Sequence, residues 1–592
     1  MGDMNSRHSE FWDGDRTTSD GRALNSFFTS CNFVQIIHEP TRTTDFSNSC
    51  IDLIFINKPD LVQDSGTYCP LEGCDHNVIF TTLVKSYPKS NSYSRKVWNF
   101  KKGNFELLRF AIFNADWDSC YTSRDVHQVT ETWMQKLRQI AEEHIPHYSV
   151  VIRPNDKSFM TSNIRRLLRK KERLRNIFRR SGQDADYANF QAVRREVVSE
   201  IRKSKRQIEH EFSETNNAKL WWRHAKENCT GGSSNYDSPL KDDDNIITSN
   251  VEKSELFNKH FVQQATLDDS NTESLDSPVI PSICIEALHI QPFEVYGTLK
   301  NLDTSKATGP DGIGNFILRE AALPLSEPLC KLFNFSLDAG VFPDMWKLAN
   351  VLPLFKKGDP MLCTNYRPIS LLPCIAKVFE RLVFNHIFTF LKHNNLLNAR
   401  QSGFIPKDST VNQLIYILEH LYKSADVNDD VIAVFLDLTK AFDKVWHKGL
   451  LYKLENAGIT GDMHKWLRSY LTGRKQCVIL NGSHSTMLSI PEGVPQGSVL
   501  GPLLFLVFIN DITANVQSNA YLFADDTCLF QPCSFTEPSA LEVINRDLYN
   551  IKLWADKWLV TVQSMQRRQC SWSLAVLLTP KCPLVLNLVT IT

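Results

Sequence analysis

The apolar positions of this chain change their spacing several times, and each change predicts an element. Between Tyr521 and Phe530 two short apolar runs, Tyr521-Leu522-Phe523 and Thr527-Cys528-Leu529-Phe530, flank Ala524-Asp525-Asp526. Aromatic and β-branched residues at this length predict two strands, and the polar insert predicts a hairpin turn with both carboxylates at its tip. Upstream, Val431-Ile-Ala-Val-Phe-Leu436 is an unbroken apolar run, the pattern of a buried strand, and it ends on Asp437. Such a strand delivers a rigidly placed carboxylate to the edge of its sheet. Gln476–Leu480 followed by Asn481-Gly482 predicts a further strand and hairpin turn, and Trp346–Phe355 predicts a strand that ends in the cationic turn Lys356-Lys357-Gly-Asp. Helical spacing runs from Leu450 to Leu471 through Leu454, Trp466, Leu467 and Tyr470, and again over Val543–Val560, which a short strand follows.

A third helical pattern spans Ile164–Arg180, where Leu167, Leu168, Leu174, Ile177 and Phe178 form one apolar stripe on an otherwise basic segment. Basic residues resume at Arg194-Arg195 and Arg202-Lys203-Ser-Lys205-Arg206. Gly231-Gly-Ser-Ser-Asn235 and Lys241-Asp-Asp-Asp-Asn245 read as loops. Beyond Val562 neither a period of 2 nor one of 3.6 persists, and the apolar stretch Ser571–Thr592 is broken by Pro580, Lys581 and Pro583.

The 592 residues exceed what one core supports and imply about three or four domains. Net charge is zero, so affinity for a polyanion must come from local clustering. The odd set of 15 cysteines shows no Cys-x-x-Cys pair and the chain no signal peptide, which points to reduced thiols in a cytosolic or nuclear compartment and away from a zinc module. No apolar run is long enough for a convincing membrane span.

The chemistry suggested by these elements is metal-assisted phosphoryl transfer. Asp437 and the Asp525-Asp526 pair can meet across adjacent strands, and converging carboxylates suit oxygen-liganded Mg²⁺ ions set roughly 3.5–4 Å apart. The plain alternative is that Asp-Asp is a good turn pair. Lys356, Lys357 and Arg367 either grip a triphosphate or are surface charges on a turn. Phe442 either excludes a 2′-hydroxyl by its bulk or is a core residue. Gln496 in Pro495-Gln496-Gly497-Ser498 can hydrogen-bond beside a base pair, and Gly497 allows close backbone approach. Asp443 is expected to cap the turn or pair with Lys440 or Lys444. Lys306-Ala-Thr-Gly-Pro-Asp-Gly-Ile313 is a glycine-rich turn able to approach phosphate. Near the start of the chain Asp3, Asn5, Asp52 and the pair Asp75-His76 suit a Mg²⁺-dependent phosphodiesterase, or are ordinary surface groups. Arg165, Arg166, Arg169, Lys170 and Lys171 lie on the basic helix, which is suited to template phosphates or is a solvated arm. Trp221-Trp222-Arg223 can stack on bases or pack, and packing is the expectation.

Phe523-Ala-Asp-Asp526 resembles the signature of reverse transcriptases. Asn365-Tyr-Arg-Pro-Ile-Ser370, Lys377-Val-Phe-Glu380, Gln401-Ser-Gly-Phe404, Leu436-Asp-Leu-Thr-Lys-Ala-Phe-Asp443 and Gly493-Val-Pro-Gln-Gly-Ser-Val-Leu-Gly-Pro-Leu-Leu-Phe505 occur in the order and spacing of non-long-terminal-repeat retrotransposon polymerases of the jockey-like type. The resemblance implies an α+β multidomain chain: a right-hand polymerase with fingers and an antiparallel palm sheet but a missing thumb, preceded by a helical basic connector and a fragment of an α/β-sandwich endonuclease. The expected limits are 1–88 for the endonuclease/exonuclease/phosphatase-like part, 89–284 for the connector, 285–562 for fingers and palm with a core at 336–562, and 563–592 for an aberrant, frameshifted or mis-spliced tail.

By resemblance Asp437, Asp525 and Asp526 hold two Mg²⁺ ions, with Mn²⁺ as a substitute. Arg367, with Lys356 and Lys357 as lesser candidates, meets the triphosphate, Gln496 and Gly497 face the base pair, and Phe442 gates the sugar. Asp3 and Asn5 are substrate-side residues, Asp52 orients, and Asp75 with His76 activates water. The family's first endonuclease half, with its metal-binding Glu, is not found in the sequence, so the fragment is expected not to cut DNA. Implied partners are an RNA template, a DNA primer or target and deoxynucleoside triphosphates, with no membrane; oligomeric state is left open. Two other classes stand beside the polymerase: an inactive nucleic-acid-binding remnant, and a host protein that uses the fold for interaction alone.

Overall fold

The computed structural model describes residues 2–44, 46–57, 59–68, 74–83, 92–152, 157–214, 238–243, 245–270, 272, 274–279, 281–427, 429–533, 539–562, 574–578 and 587–588. Trp221-Trp222-Arg223, the Gly231–Asn235 loop and Gln563–Cys570 lie outside the described residues. The chain divides into two compact units, Met1–Lys89 and Ser90–Thr592.

In the first unit β1 (Gly2–Asp3) runs antiparallel to β2 (Asp52–Leu53), with Asp3 opposite Asp52. Helix α1 (Ser19–Ser30) starts at Thr18, whose side chain accepts the Gly21 amide, and β3 (Val62–Tyr68) pairs with β4 (Val78–Leu83). Phe11, Ile37, Cys50, Leu53 and Ile54 form the small core beneath β2.

The second unit opens with α2 (Phe105–Asn114) and α3 (Val126–His144), capped by Asn104 and Asp125. Their apolar stripes bury Leu108, Ile112, Val129, Trp133 and Leu137 in the same core as the helices that follow, so this part of the segment read as a connector belongs to the body of the unit. Helices α4 (Ser162–Ser181) and α5 (Asp184–Glu214) form a hairpin closed by Gly182 in the left-handed conformation. The expected apolar stripe of α4 is its contact with α5: Leu167, Leu168 and Leu174 pack on Val193, Val197 and Ile201. Ile177, expected in that stripe, is exposed instead. Lys241–Asn245, read as a loop, is built largely into the strands of a short hairpin, Leu240–Asp242 with Asn245–Ile247.

Helix α6 (Asn250–Gln264) lays Phe257 and Phe261 on a second, smaller core. Helix α7 (Ala322–Asp338) leads to β5 (Leu348–Phe355), which pairs antiparallel with β6 (Tyr366–Leu371), and α8 (Cys374–His393) follows. Then come α9 (Thr410–Asp426) and β7 (Asp430–Leu436). The helical spacing of Leu450–Leu471 resolves into two helices, α10 (His447–Asn456) and α11 (Gly461–Leu471), broken where Gly458 and Gly461 take positive φ. Strand β8 (Lys475–Leu480) lies parallel to β5 and completes, with two short strands, the sheet of β6, β5 and β8.

Helix α12 (Gly501–Ile509), β9 (Asn519–Phe523), β10 (Asp526–Cys533), α13 (Ser539–Lys557), β11 (Leu574–Leu578) and β12 (Asn587–Leu588) end the described chain. The second sheet has the order β9-β10-β7-β11-β12 with every pair antiparallel, and β7, the intervening helices, β9, β10, α13 and β11 trace a β-α-β-β-α-β path. A short continuous apolar run is itself a strand signal, and Leu574–Leu578 pairs antiparallel with β7 on the side away from β10. Among the described residues no helix is long and apolar enough to cross a membrane.

Candidate active site

Strand β7 is central in its sheet, and the side chains of Ile432, Val434 and Leu436 enter the large core. Those of Val431 and Ala433 face a smaller cluster with Tyr521 and Phe530. Alternation then puts Asp437, one step past the strand, on the second face. Across the ladder Leu436 lies opposite Thr527 and Phe523 opposite Asp526. Thr527 and Leu529 are buried on the core side, so Asp526 shares a face with Asp437 on the neighbouring strand. Side chains opposite one another in such a ladder stand about 4.5–5.5 Å apart at Cβ. Ala524 and Asp525 form the two-residue turn of the β9–β10 hairpin, with Ala524 at φ 57°. The ladder thus puts Asp437 and Asp526 on one face at one end of the sheet, with Asp525 beside them at the tip of the hairpin.

Their electrostatics follow from this. Partial burial, followed by the charges of its neighbours including Asp437, raises the Asp525 pKa. Asp526 is raised by burial, then by Asp525 and Asp437. Lys356 offsets both, and Arg367 offsets Asp525, so the hairpin that carries these two cations faces the acids. Lys357 is exposed on the same turn. Lys440, at φ 53°, adds a third charge to this side; its pKa is lowered by burial and by Lys356 and Arg367. Sequence reading considered Lys440 only as a partner for Asp443. An oxygen-only set of acidic donors suits a hard divalent cation, which would relieve the repulsion that raises these pKa values.

The hairpin tip is braced from one side. Gln401 is buried, and its Oε1 accepts both the Ala524 amide and the Gly403 amide at 2.8 Å. Ser402 donates its amide to the Leu522 carbonyl, and Leu522 returns its own to Arg400. A Cβ on Gly403 would stand 2.1 Å from the Ala524 nitrogen, so only glycine fits. Sequence reading registered Gln401-Ser-Gly-Phe404 as a block without giving it this role.

Phe442 lies in the turn after Asp437, partly exposed, with its ring stacked on Phe505 at 4.8 Å and met edge-on by Phe404 at 5.7 Å. The loop with Gln496 is held at three points. Gln496 Nε2 donates to Asp443 Oδ1 at 2.8 Å, and the Gln496 carbonyl accepts the Ser370 amide at 2.7 Å. Glu380, fully buried on α8, accepts the Val499 and Leu500 amides at 2.6 and 3.0 Å at the start of α12. Gly497 takes φ 122° against the Ser370 carbonyl. The direct partner of Asp443 is therefore Gln496, while Lys440 acts on it through charge. Glu380 and Asp443 hold the loop through contacts across the fold, which no local pattern announces.

In the first unit His76 Nδ1 lies 2.8 Å from Asp52 Oδ2. Asp75 is held instead by the Arg42 guanidinium at 2.7 Å, which keeps its carboxyl low, so the paired contact of His76 is Asp52 rather than Asp75. Asn5 donates its amide to Asp3 Oδ1 at 3.0 Å. Among the described residues Asp3, Asp52 and His76 place ligand atoms within 4.8 Å of one another; the Asp437, Asp525 and Asp526 oxygens are spaced more widely.

Residues 355–565 match the family described as reverse transcriptase (RNA-dependent DNA polymerase). That segment is thus similar to a reverse transcriptase. Ahead of it, residues 1–80 match the family described as endonuclease-reverse transcriptase. The RNA-directed DNA polymerase from mobile element jockey of Drosophila melanogaster is 28% identical over 481 residues, covering 74% of this chain and 50% of the relative. Its counterpart from Drosophila funebris is 25% identical over 600 residues, covering 95% and 64%. The probable RNA-directed DNA polymerase from transposon X-element of Drosophila melanogaster is 32% identical over 335 residues, covering 55% and 36%. The chain thus spans less than two thirds of the length of these relatives. The matched segment 355–565 contains all three carboxylates, both cations of the facing hairpin that offset them, and the Gln496 loop.

Proposed function

We propose that this chain extends a primer on an RNA template with deoxynucleotides, the sheet of β9, β10, β7 and β11 acting as the palm and the sheet of β6, β5 and β8 as part of the fingers. The observation that carries this reading is the approach of Asp437, Asp526 and the hairpin-tip residue Asp525 at one end of a sheet, facing Lys356 and Arg367. Reverse transcriptases use divalent metals, and two Mg²⁺ ions held by these carboxylates would activate a primer 3′-hydroxyl and stabilise the departing pyrophosphate. The residues of the chain do the rest. Arg367, aided by Lys356 and by Lys357 at the turn, orients the triphosphate and balances its charge. Phe442, kept in place by Phe505 and Phe404, fills the space a 2′-hydroxyl would need. The Gln496–Gly497 loop, fixed by Asp443, Ser370 and Glu380, supplies a surface for the nascent base pair. RNA, DNA and deoxynucleoside triphosphates are the partners this reading requires, and the basic residues Arg166, Arg169, Lys170 and Lys171 of α4 offer phosphate contacts away from the site.

The test is deoxynucleotide incorporation on an RNA template with Mg²⁺, comparing the chain with Asp525→Ala. Loss of one ligand from the ion pair is expected to lower the rate by at least 100-fold. Equal incorporation by the two proteins removes the polymerase reading and leaves nucleic-acid binding without catalysis.

A further inference from the structure

Helix α4 carries nine Lys and Arg residues against one Glu, yet its apolar stripe is consumed by α5. At about 100° per residue, Arg166, Arg169, Arg173 and Arg180 fall on the face opposite that stripe with Lys170 at its margin, and all five are exposed. Helix α5 repeats the arrangement. Val193, Val197 and Ile201 turn towards α4, while Arg194, Arg195, Arg202, Lys203 and Arg206 cluster on the other side, all exposed. These five line a groove of about 720 Å³ with Gln191, Val198 and Ser199 and with no acid among the lining residues. Among the described residues no carboxylate pairs with any of the five. The contacts of Arg166 and Arg169 are also to neutral oxygens, the Asn163 amide at 3.0 Å and the Arg165 carbonyl at 3.4 Å. The acids of α5 lie mostly on its flanks, as Glu200 does where it accepts from Asn163 at 3.2 Å.

The hairpin is antiparallel and tight, with Ser204 bonded to the Phe159 carbonyl at one end and Ser181 to Asp186 at the other. Two helices packed about 8–10 Å apart, each about 10–12 Å across, set their outer faces roughly 20 Å apart. Each cationic row runs roughly 20 Å along its axis at 1.5 Å per residue. The two faces are separated by more than twice the Debye length of about 8 Å at physiological salt, so phosphates bound on one face do not repel those bound on the other. We propose that the α4–α5 hairpin holds two nucleic-acid segments at once, one on each face, through their phosphates. This rests on the nucleic-acid reading of the chain and adds to it a bridging function that the α4 residues alone do not supply.

The experiment uses the full chain, a bead-bound single-stranded RNA and a labelled DNA duplex, and reads how much duplex the beads capture. Two variants are compared with the parent: R166Q/R169Q/K170Q/R173Q/R180Q and R194Q/R195Q/R202Q/K203Q/R206Q. Gln matches Arg and Lys in helix propensity, so helicity measured by circular dichroism is expected to be unchanged. Each variant is expected to keep binding RNA alone through its intact face, with the slope of log affinity against log salt changed by less than about 1, and to lose at least 10-fold in captured duplex. A set with Lys in place of each Arg keeps the charge and is expected to restore capture, which separates charge from folding. Capture at the parental level by either Gln variant overturns the proposal, as does loss of all RNA binding from one variant with none from the other. Asp525→Ala is expected to abolish incorporation and keep capture. A chain that captures but never incorporates therefore sinks the polymerase reading alone, and one that incorporates without capturing sinks this inference alone.

Discussion

Burial pushes the Asp443 carboxyl up to about 6 from an ordinary 3.8, because its charge is surrounded by the turn after β7 and the Gln496 loop. The folded state then binds a proton more tightly than the unfolded chain, so the contribution of this group to stability is full below about pH 4 and is lost as pH rises through about 6. The loss amounts to at most about 3 kcal/mol. Asp443→Asn keeps an oxygen to accept from Gln496 and cannot ionise. Its urea midpoint relative to the parent is expected to be near equal at pH 4 and higher at pH 7; equal differences at both pH values would mean that the carboxyl ionises without penalty. The sequence reading reached Asp437, Asp525 and Asp526 because an unbroken apolar run and a two-residue turn fix where a strand ends and which face each carboxylate takes. It missed the Asp443–Gln496 contact because a hydrogen bond between two loops leaves no periodic trace.

The hairpin of β9 and β10 depends on a neighbour that contributes backbone rather than chemistry. Gly403 approaches the turn so closely that an added Cβ would lie 2.1 Å from the Ala524 nitrogen and 2.7 Å from the Phe523 carbonyl carbon, both backbone atoms that cannot rotate away. Gly403→Ala is therefore expected to displace the turn and with it Asp525. The expected result is at least a 10-fold fall in incorporation, with the melting temperature lowered by a few degrees, since the two amides on Gln401 Oε1 would be pulled from their acceptor at about 1–3 kcal/mol. Unchanged incorporation would show that the turn tolerates the shift and that the acids are positioned by β7 and β10 alone. Most elements of this sheet were readable from periodicity. The exception is Leu574–Leu578, an unbroken apolar run of the same kind as β7 itself, whose pairing only the structure shows.

At the scale of the molecule, the segment between the two matched regions was harder to read. An amphipathic stripe shows that α2 and α3 bury one face but not against what, and the basic helices beside them gave the whole stretch the look of a linker. In the structure Trp133, Leu137, Leu108 and Ile112 are fully buried in the core shared with α7 and α8. Trp98 donates its indole proton to the Gly312 carbonyl at 2.9 Å, and Arg109 pairs with Glu320 at 3.2 Å. A chain lacking α2 and α3 loses Trp133, Leu137, Leu108 and Ile112 and uncovers the apolar faces of α7 and α8 that share their core. Each large apolar side chain so uncovered costs about 1.5–3 kcal/mol, and a few of them approach the 5–15 kcal/mol by which a domain is usually stable. A chain beginning at Ser90 is therefore expected to keep the near-ultraviolet circular dichroism and cooperative melting of the second unit, because Met1–Lys89 has its own core. A chain beginning at Ile285 is expected to lose both, with loose packing and exposed apolar surface. If that shorter chain melts cooperatively at the same temperature, α2 and α3 are accessories. If it does not, the smallest folded polymerase unit starts well ahead of the 355–565 match, and the helices before it are part of what holds Asp437, Asp525 and Asp526 in place.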